Sequence, residues 1–259
     1  MLKQFFKLVL LCIPFVCNAY DGVWGGSKLT DDNVPIMLYN IPPAIEGKNY
    51  GTVIVAHGCY GISPHEERIG AMFSREGFNA VLVDSWKYRN VPKGTVCQTY
   101  SVSGQQRLEE VYKTVNWIKQ QKWHKGDIFL IGFSHGGIVA LAASKNGPEK
   151  GIAKAEAFYP YCWPSDHTEP KIPVQLHIGS SDTWTPPHRC RGIFKSWFKE
   201  YKYGEYFEYP DTHHSFDAEG VNRIIQGLGE NGITTGRIIR YNPESTRQAY
   251  ERVLKFFKE

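Results

Sequence analysis

A serine stands between two glycines at positions 132–136, which read Gly-Phe-Ser-His-Gly. The preceding run at 128–131 is apolar, and residues 134–144 are rich in alanine and glycine. A buried strand followed by a small-residue helix makes a sharp turn that exposes a serine hydroxyl at the edge of a sheet. We therefore predict that Ser134 is a nucleophile. The alternative is an ordinary structural turn.

A serine hydroxyl reacts only when a base removes its proton, and the base is oriented by a carboxylate. In folds with this turn the chain order is serine, acid, histidine, and the histidine follows the last strand. His213 and His214 both follow the predicted strand 206–209, which leaves two candidate bases. Asp182 is the one acid in the segment 179–187, which follows the strand predicted at 174–178. Asp166 and Asp211 are the alternative acids.

The remaining histidines receive other interpretations. We expect surface positions for His65, His124 and His167, because they lie on predicted helices or loops away from the catalytic segments. His177 lies within a predicted strand and is expected in the core. His188 begins a helix and could lie at the rim of the site.

Two backbone N–H groups should stabilise the oxyanion that forms when serine attacks a carbonyl. One is expected from His135, the residue after the nucleophile, and the other from Cys59 in the loop 57–61. Four aromatic residues near these segments could line a pocket, although each could equally pack in the core: Tyr60, Trp86, Trp163 and Trp184.

Apolar runs alternate with amphipathic segments along most of the chain, and this pattern predicts an α/β fold. Further strands are predicted at 34–39 (an edge strand), 51–56, 80–83 and 155–159, and helices at 64–76, 103–122, 188–202 and from 242 onward. We expect a mostly parallel central sheet with helices on both faces. Residues 218–241 are interpreted as a long loop or insertion before the last helix. With no linker to divide it, the segment 20–259 is predicted to be a single domain.

The first 19 residues have the pattern of a secretory signal peptide, with Lys3 and Lys7 before a short apolar run at 8–16. That run is too short to span a membrane as a helix, and the alternative is a buried first helix. We therefore expect an exported protein with no membrane segment after cleavage. An exported chain can form disulfides. The neighbouring loops predict the pairs Cys59–Cys97 and Cys162–Cys190, against the alternative of four free thiols.

The composition narrows the possible ligands. Hydrophobic residues make up 42% of the 259 residues, which is enough for a large core, and the net charge is only +4. The basic residues are interleaved with acids, so we expect no nucleic-acid partner. The sequence has no metal-ligand spacing and no glycine-rich phosphate loop, and we expect neither a metal nor another cofactor. Oligomeric state cannot be inferred.

The combination of segments resembles the dienelactone hydrolase family over residues 30–259. The resemblance rests on 57–61, on Asp84-Ser85-Trp86 with Arg89 and Cys97, and on 132–137, 179–187 and 214–217. Family members place the catalytic histidine before a small residue and a phenylalanine, which selects His214 over His213. Members that cleave dienelactone carry cysteine at the nucleophile position. Because Ser134 stands there, this chain looks more like the serine-bearing, exported members.

The resemblance implies an α/β-hydrolase fold and a serine hydrolase with the triad Ser134, Asp182 and His214, acting on a small-molecule ester. It also suggests Arg89, with Tyr60 and Trp86, for substrate binding, because the family holds substrate carboxylates with arginines. A peptidase or acyltransferase could use the same triad, and a binding protein could retain the fold without activity. The filled triad positions argue against the last alternative.

Overall fold

The computed structural model of the protein describes residues 25–29, 36–163, 168–197, 203–229 and 232–259. The predicted signal peptide, Asp166 and His167 lie outside these residues. No helix among the described residues is long and apolar enough to cross a membrane.

Eight strands form one central sheet in the order β1-β2-β4-β3-β5-β6-β7-β8. Only β2 runs against the others, so β3 to β8 form a continuous parallel array. A smaller sheet contains β9 and β10. The bounds are β1 Gly25–Leu29, β2 Ile36–Ile41, β3 Thr52–Ala56, β4 Asn79–Asp84, β5 Ile128–Phe133, β6 Lys154–Phe158, β7 Val174–Gly179, β8 Gly204–Tyr209, β9 Asn222–Leu228 and β10 Thr234–Arg240.

Helices cover both faces of the sheet. Their bounds are α1 Pro64–Arg75, α2 Thr95–Thr99, α3 Gly104–Lys119, α4 His135–Ser144, α5 Pro187–Trp197 and α6 Pro243–Lys258, with a single 3₁₀ turn at Pro148–Lys150. The helices α1 and α6 meet through Phe73 and Phe257, whose rings are 5.9 Å apart. The helices α3 and α4 pack against each other. The predicted α/β-hydrolase architecture is confirmed.

Central strands are buried along their whole length, as parallel strands between two helical layers must be. Every residue of β3, β5 and β7 is buried. Serine and asparagine N-caps begin the helices α1, α3 and α6. Ser63 and Ser103 each form a capping box, and the Asn242 side chain accepts a hydrogen bond from the Ser245 backbone N–H at 3.1 Å. These local signals explain why the sequence predicted most of the elements.

Two predictions about the periphery were wrong. The strand expected at the edge is β2, which pairs on both sides, and β1 takes the outer position. The segment 218–241, expected to be a long loop or an insertion, is not a plain loop, because it contains the antiparallel β9–β10 hairpin. Its sequence lacks an alternation of apolar and polar residues: Ile224 and Ile225 are adjacent, although Ile224 is 67% exposed and Ile225 packs on a buried cluster.

This hairpin and α2 form a small cap beside the carboxyl ends of the sheet strands. A second apolar cluster, separate from the main core, joins them to the loops that follow β3, β4 and β7. Its buried members are Cys59, Trp86, Val96, Cys97, Val102, Trp184 and Ile239. Both predicted disulfides are confirmed: Cys59–Cys97 and Cys162–Cys190 have α-carbons 5.0 and 5.1 Å apart.

Candidate active site

Ser134 occupies the turn between β5 and α4, with φ 51° and ψ −109°. A non-glycine residue in this region costs about 1–3 kcal/mol, which the surrounding bonds must offset. The Ser134 N–H donates to the Phe158 carbonyl at 2.9 Å. A β-carbon at Gly132 or Gly136 would lie 2.0 Å from a backbone oxygen, so the turn requires glycine at both positions. This geometry explains the Gly-x-Ser-x-Gly spacing.

His214 lies between the serine and the predicted acid. Its Nε2 is 3.0 Å from the Ser134 hydroxyl oxygen, and its Nδ1 is 2.7 Å from a carboxylate oxygen of Asp182. Because the carboxylate can only accept, Nδ1 carries the proton and Nε2 is free to accept one from the serine. The two side chains come from loops after β8 and β7. The carboxyl ends of neighbouring parallel strands thus bring all three residues together.

Asp182 is itself rigidly held. One carboxylate oxygen accepts from the backbone N–H groups of Trp184 and Thr185, at 2.8 and 2.9 Å. The other accepts from the Thr185 hydroxyl at 2.8 Å in addition to His214. Asp182 is 3% exposed and His214 1%. The carboxylate therefore keeps its orientation while water is excluded from the bond to the imidazole.

His213 points to other partners. Its Nδ1 bonds the Ser181 carbonyl at 3.0 Å and its Nε2 lies 3.5 Å from the Arg240 guanidinium. Asp211, the alternative acid, is exposed. His188 is exposed as well, and His124 is partly buried against Thr52, 3.0 Å away. The expectation that His177 belongs to the core is confirmed, because it is fully buried.

A cavity of about 330 Å³ opens in front of Ser134 and His214. The imidazole of His214 lies between the rings of Tyr159 and Trp184, with centroids 4.6 and 4.8 Å away. The apolar part of the lining includes the Cys59–Cys97 disulfide, Val221 just before the hairpin, and Ile225 and Ile239 within it. Polar and charged groups including Tyr60, Lys93 and Arg223 also line it. The cavity can hold a small molecule with an apolar portion beside the serine.

Behind the nucleophile, a buried arginine fixes His135. The His135 Nε2–H donates to the Val102 carbonyl at 2.8 Å, and Nδ1 accepts from Arg107 at 3.0 Å. Burial and the adjacent Arg107 charge lower the pKa of His135 to about 3, so the ring is neutral. Burial lowers the pKa of Arg107 to about 10, which leaves it charged at neutral pH. Its other neighbours are the Ser85 hydroxyl and the Trp86 ring.

Sequence reasoning missed a buried ion pair beside the triad. His65, expected on the surface, is 8% exposed, and its Nε2 lies 2.9 Å from Asp217. Burial alone would lower the pKa of His65, but the Asp217 carboxylate outweighs burial and raises it to about 10. Burial would raise the pKa of Asp217, but the positive charge of His65 outweighs burial, and the pKa is lowered overall. The hydroxyls of Tyr159 and Tyr250 also donate to Asp217, at 2.7 and 2.6 Å.

Two residues expected to bind substrate have other neighbours. The Arg89 guanidinium pairs with the buried carboxylate of Glu110 and donates to the Ser85 carbonyl at 2.5 Å. Trp86 is 6% exposed and donates through its indole N–H to the Cys59 carbonyl at 3.3 Å. Neither is among the residues lining the cavity at Ser134, whereas Tyr60 is. The structure thus brings only Tyr60 of these three to the serine pocket.

Within the described ranges, no group of three or more histidine, cysteine, aspartate or glutamate side chains could hold a metal ion. The groups that the structure brings together at this site are a hydroxyl, a hydrogen-bonded imidazole and the helix N-terminus behind them.

Comparison with known proteins gives one family. The model of the dienelactone hydrolase family matches residues 40–259. No curated protein matches the chain in sequence. Among solved structures, a putative dienelactone hydrolase from Klebsiella pneumoniae is similar with a TM-score of 0.75 and 16% identity, covering 91% of this chain and 98% of that one.

Two further structures share the fold at low identity. A dienelactone hydrolase-like promiscuous phosphotriesterase from metagenomic libraries has a TM-score of 0.69 and 14% identity, covering 90% of this chain and 95% of its own. Esterase 2 of Thermogutta terrifontis, phosphoramylated by tabun, has a TM-score of 0.62 and 17% identity, covering 90% and 93%. At these identities the similarity concerns the fold.

Proposed function

The chain belongs to the dienelactone hydrolase family, and from this premise we propose that it is a serine hydrolase that cleaves a small carboxylic ester through an acyl-enzyme. The observation that carries the proposal is the continuous hydrogen-bonded line from Ser134 through His214 to Asp182. Such a line both removes the serine proton and stabilises the imidazolium that results.

In the proposed reaction, His214 Nε2 takes the proton of Ser134 as its oxygen attacks the ester carbonyl. The backbone N–H groups of Cys59 and His135 stabilise the resulting oxyanion. Collapse of the tetrahedral intermediate expels the alcohol, which receives the proton from His214. Water then attacks the acyl-enzyme with His214 again as base, and the carboxylic acid leaves with Ser134 restored.

Two features support a small, partly apolar ester as the substrate and an exported location. The cavity of about 330 Å³ combines aromatic and aliphatic walls with cationic side chains. Both disulfides are consistent with folding in an oxidising compartment. We accordingly propose export through the predicted signal peptide and a single hydrolase domain at 20–259. A peptidase or acyltransferase would use the same residues but a different acyl acceptor or leaving group.

The central test replaces the nucleophile. Ser134→Ala should keep the fold and lower ester hydrolysis by roughly three to six orders of magnitude. A fluorophosphonate probe should label the wild-type protein and not this variant. Near-normal turnover or labelling in Ser134→Ala would reject the assignment, and absence of labelling in the wild type would favour a binding protein.

Adjacent histidines provide a matched control for the base. His214→Ala should be almost as damaging as Ser134→Ala, because residues that act as a unit do not contribute additively. His213→Ala removes a ring of the same size one position away, and its activity should stay within a few-fold of wild type. A panel of short acyl esters, peptides and alcohol acceptors then separates esterase from peptidase and acyltransferase activity. A reversed order of the two histidine effects would contradict the triad.

A further inference from the structure

The Cys59–Cys97 disulfide is part of the wall of the Ser134 cavity. It joins the loop that follows β3 to the short helix α2, across a sequence separation of 38. The two residues are 8% and 3% exposed, so the bond is nearly buried yet reaches the cavity. Ser134 and the disulfide also line a second, smaller cavity of about 30 Å³. This crosslink therefore lies directly beside the nucleophile.

We propose that Cys97 is a positioning residue for the oxyanion hole: through its disulfide it holds the Cys59 backbone N–H where the tetrahedral intermediate needs it. The inference rests on the proposed function, and it adds a role for a residue that makes no contact with the reacting atoms. The crosslink is then more than a stabiliser of the exported fold.

The loop around Cys59 needs such a constraint. Gly58 and Gly61 flank Cys59 and Tyr60, and Gly61 has φ 93°. Glycine restricts backbone rotation less than other residues, so the backbone of the Cys59 loop is intrinsically free to rotate. The Cys59 carbonyl is held by the indole N–H of Trp86 at 3.3 Å. An oxyanion donor must lie within about 2.7–3.1 Å of the developing charge. A covalent bond from the Cys59 side chain limits the rotation that would move its N–H out of that range.

The other end of the crosslink is firmly anchored. Val96, next to Cys97, is fully buried in the second apolar cluster with Val102, Trp184 and Ile239. The same segment supplies the Val102 carbonyl that accepts from the ring of His135 at 2.8 Å. One stretch of chain, 96–102, thus supports both proposed oxyanion donors, Cys59 by a disulfide and His135 by a hydrogen bond.

The second disulfide is a matched control. Cys162–Cys190 closes a loop of similar length, with a sequence separation of 28, so the chain-entropy effect of the two crosslinks is comparable. Neither of its cysteines is among the residues lining the Ser134 cavity. Asp182 lies within that loop, but bonds from Trp184, Thr185 and His214 hold it independently. Loss of this crosslink should affect stability and leave the oxyanion donors in place.

The experiment compares Cys59→Ser/Cys97→Ser with Cys162→Ser/Cys190→Ser at a temperature where both are folded. With a short acyl ester, the first pair should lower kcat by about 10- to 100-fold and leave KM within about threefold, as loss of a transition-state interaction does. The affinity for a trifluoromethyl ketone, which forms an oxyanion on Ser134, should fall in parallel. The control should keep kcat within about threefold of wild type. Equal kcat losses in both pairs, an effect on KM alone, or no effect would overturn the proposal.

A second experiment tests the proposal even if Cys59→Ser/Cys97→Ser misfolds, because it reduces the native Cys59–Cys97 bond in the control variant. In Cys162→Ser/Cys190→Ser, dithiothreitol can open only Cys59–Cys97: the disulfide gains two electrons and two protons, and dithiothreitol becomes its cyclic disulfide. We expect kcat to fall as two thiols appear and to return on reoxidation. Release of two thiols with unchanged kcat would overturn the proposal. A wild-type protein without esterase activity or probe labelling would instead reject the proposed function itself.

Discussion

Replacing Asp217 with asparagine tests the buried ion pair beside the triad. The wild-type carboxylate accepts from His65, Tyr159 and Tyr250 at 2.9, 2.7 and 2.6 Å, and its side chain is fully buried. The amide introduced by Asp217→Asn would retain the shape of the side chain but remove the nearer of the two carboxylates beside the His65 cation, leaving only Glu66, 3.7 Å from Nδ1. Breaking a buried pair by removing one partner costs about 3–5 kcal/mol. For a domain of this size, that corresponds to a decrease in Tm on the order of 10 °C.

The pH dependence of that loss gives the stronger test. The folded-state pKa of His65 is raised to about 10, above its ordinary value of 6.5. The stabilisation from the protonated imidazole is therefore complete below about pH 6.5 and is lost as pH rises towards 10. Asp217 acts in the opposite sense: its pKa is lowered, so its contribution is lost only at acidic pH, below its ordinary value of 3.8. The difference between wild type and Asp217→Asn should thus be largest near pH 6.

Guanidinium unfolding at pH 6 and pH 10 measures this difference directly. The gap in free energy of unfolding should shrink by a few kcal/mol at the higher pH, because most of the stabilisation from protonating His65 is lost once the pH reaches its folded-state pKa of about 10. Glu219→Gln is the control, since Glu219 is exposed and meets Arg68 only at 3.8 Å; such pairs contribute about 0–1 kcal/mol. A gap that is equal at both pH values, or as small as that of the control, would refute the ion pair.

Two further predictions concern the buried ionisable side chains of Arg107 and Glu156. Arg107→Gln should lower kcat by about 10- to 100-fold with little change in KM, because a charge-assisted hydrogen bond to His135 contributes about 1.5–3 kcal/mol. Arg107→Lys should recover part of the lost kcat. An effect on KM alone would contradict the role of Arg107 in holding His135. Burial, with a smaller effect of the Glu205 charge, raises the pKa of Glu156 well above 4.5, so keeping it protonated costs stability as pH rises. Glu156→Gln should stabilise the fold at pH 8 but not at pH 4, unlike the exposed Glu46→Gln. Equal effects at both pH values would count against this prediction.

The parallel sheet and the convergence of Ser134, Asp182 and His214 could be predicted from the sequence for a physical reason, whereas the strand order was not predicted. Buried parallel strands are continuous apolar runs, and loops after their carboxyl ends converge at one edge. Ser134, Asp182 and His214 each follow such a run within a few residues. The choice between His213 and His214 needed more than this pattern, because neighbours in a loop differ only in direction. The resemblance of 214–217 to the family motif supplied it.

The position of His65 was predictable in part. It precedes Ile69 by four residues and Phe73 by eight, so it lies on the apolar stripe of α1 rather than on its solvent face. Its partner could not be found in the same way. Asp217 is 152 residues away, and no periodicity links a helix start to a loop after the last sheet strand. The hairpin was missed for a related reason. Its two strands lie outside the central sheet, and their sequence lacks an alternation of apolar and polar residues because Ile224 and Ile225 are adjacent.

Several bonds join loops to one another or to neighbouring elements, and the sequence predicted only the disulfides among them. Strands determine where each catalytic loop begins, but reaction geometry must be held within about 0.5 Å, which a loop alone does not provide. The Arg240 N–H donates to the His214 carbonyl at 3.1 Å, so the hairpin is bonded to the loop of the proposed base, and the Cys59–Cys97 disulfide crosslinks the loop of the proposed oxyanion donor. Because these bonds lie outside the main core, breaking one of them should reduce kcat at temperatures where the sheet is still fully folded.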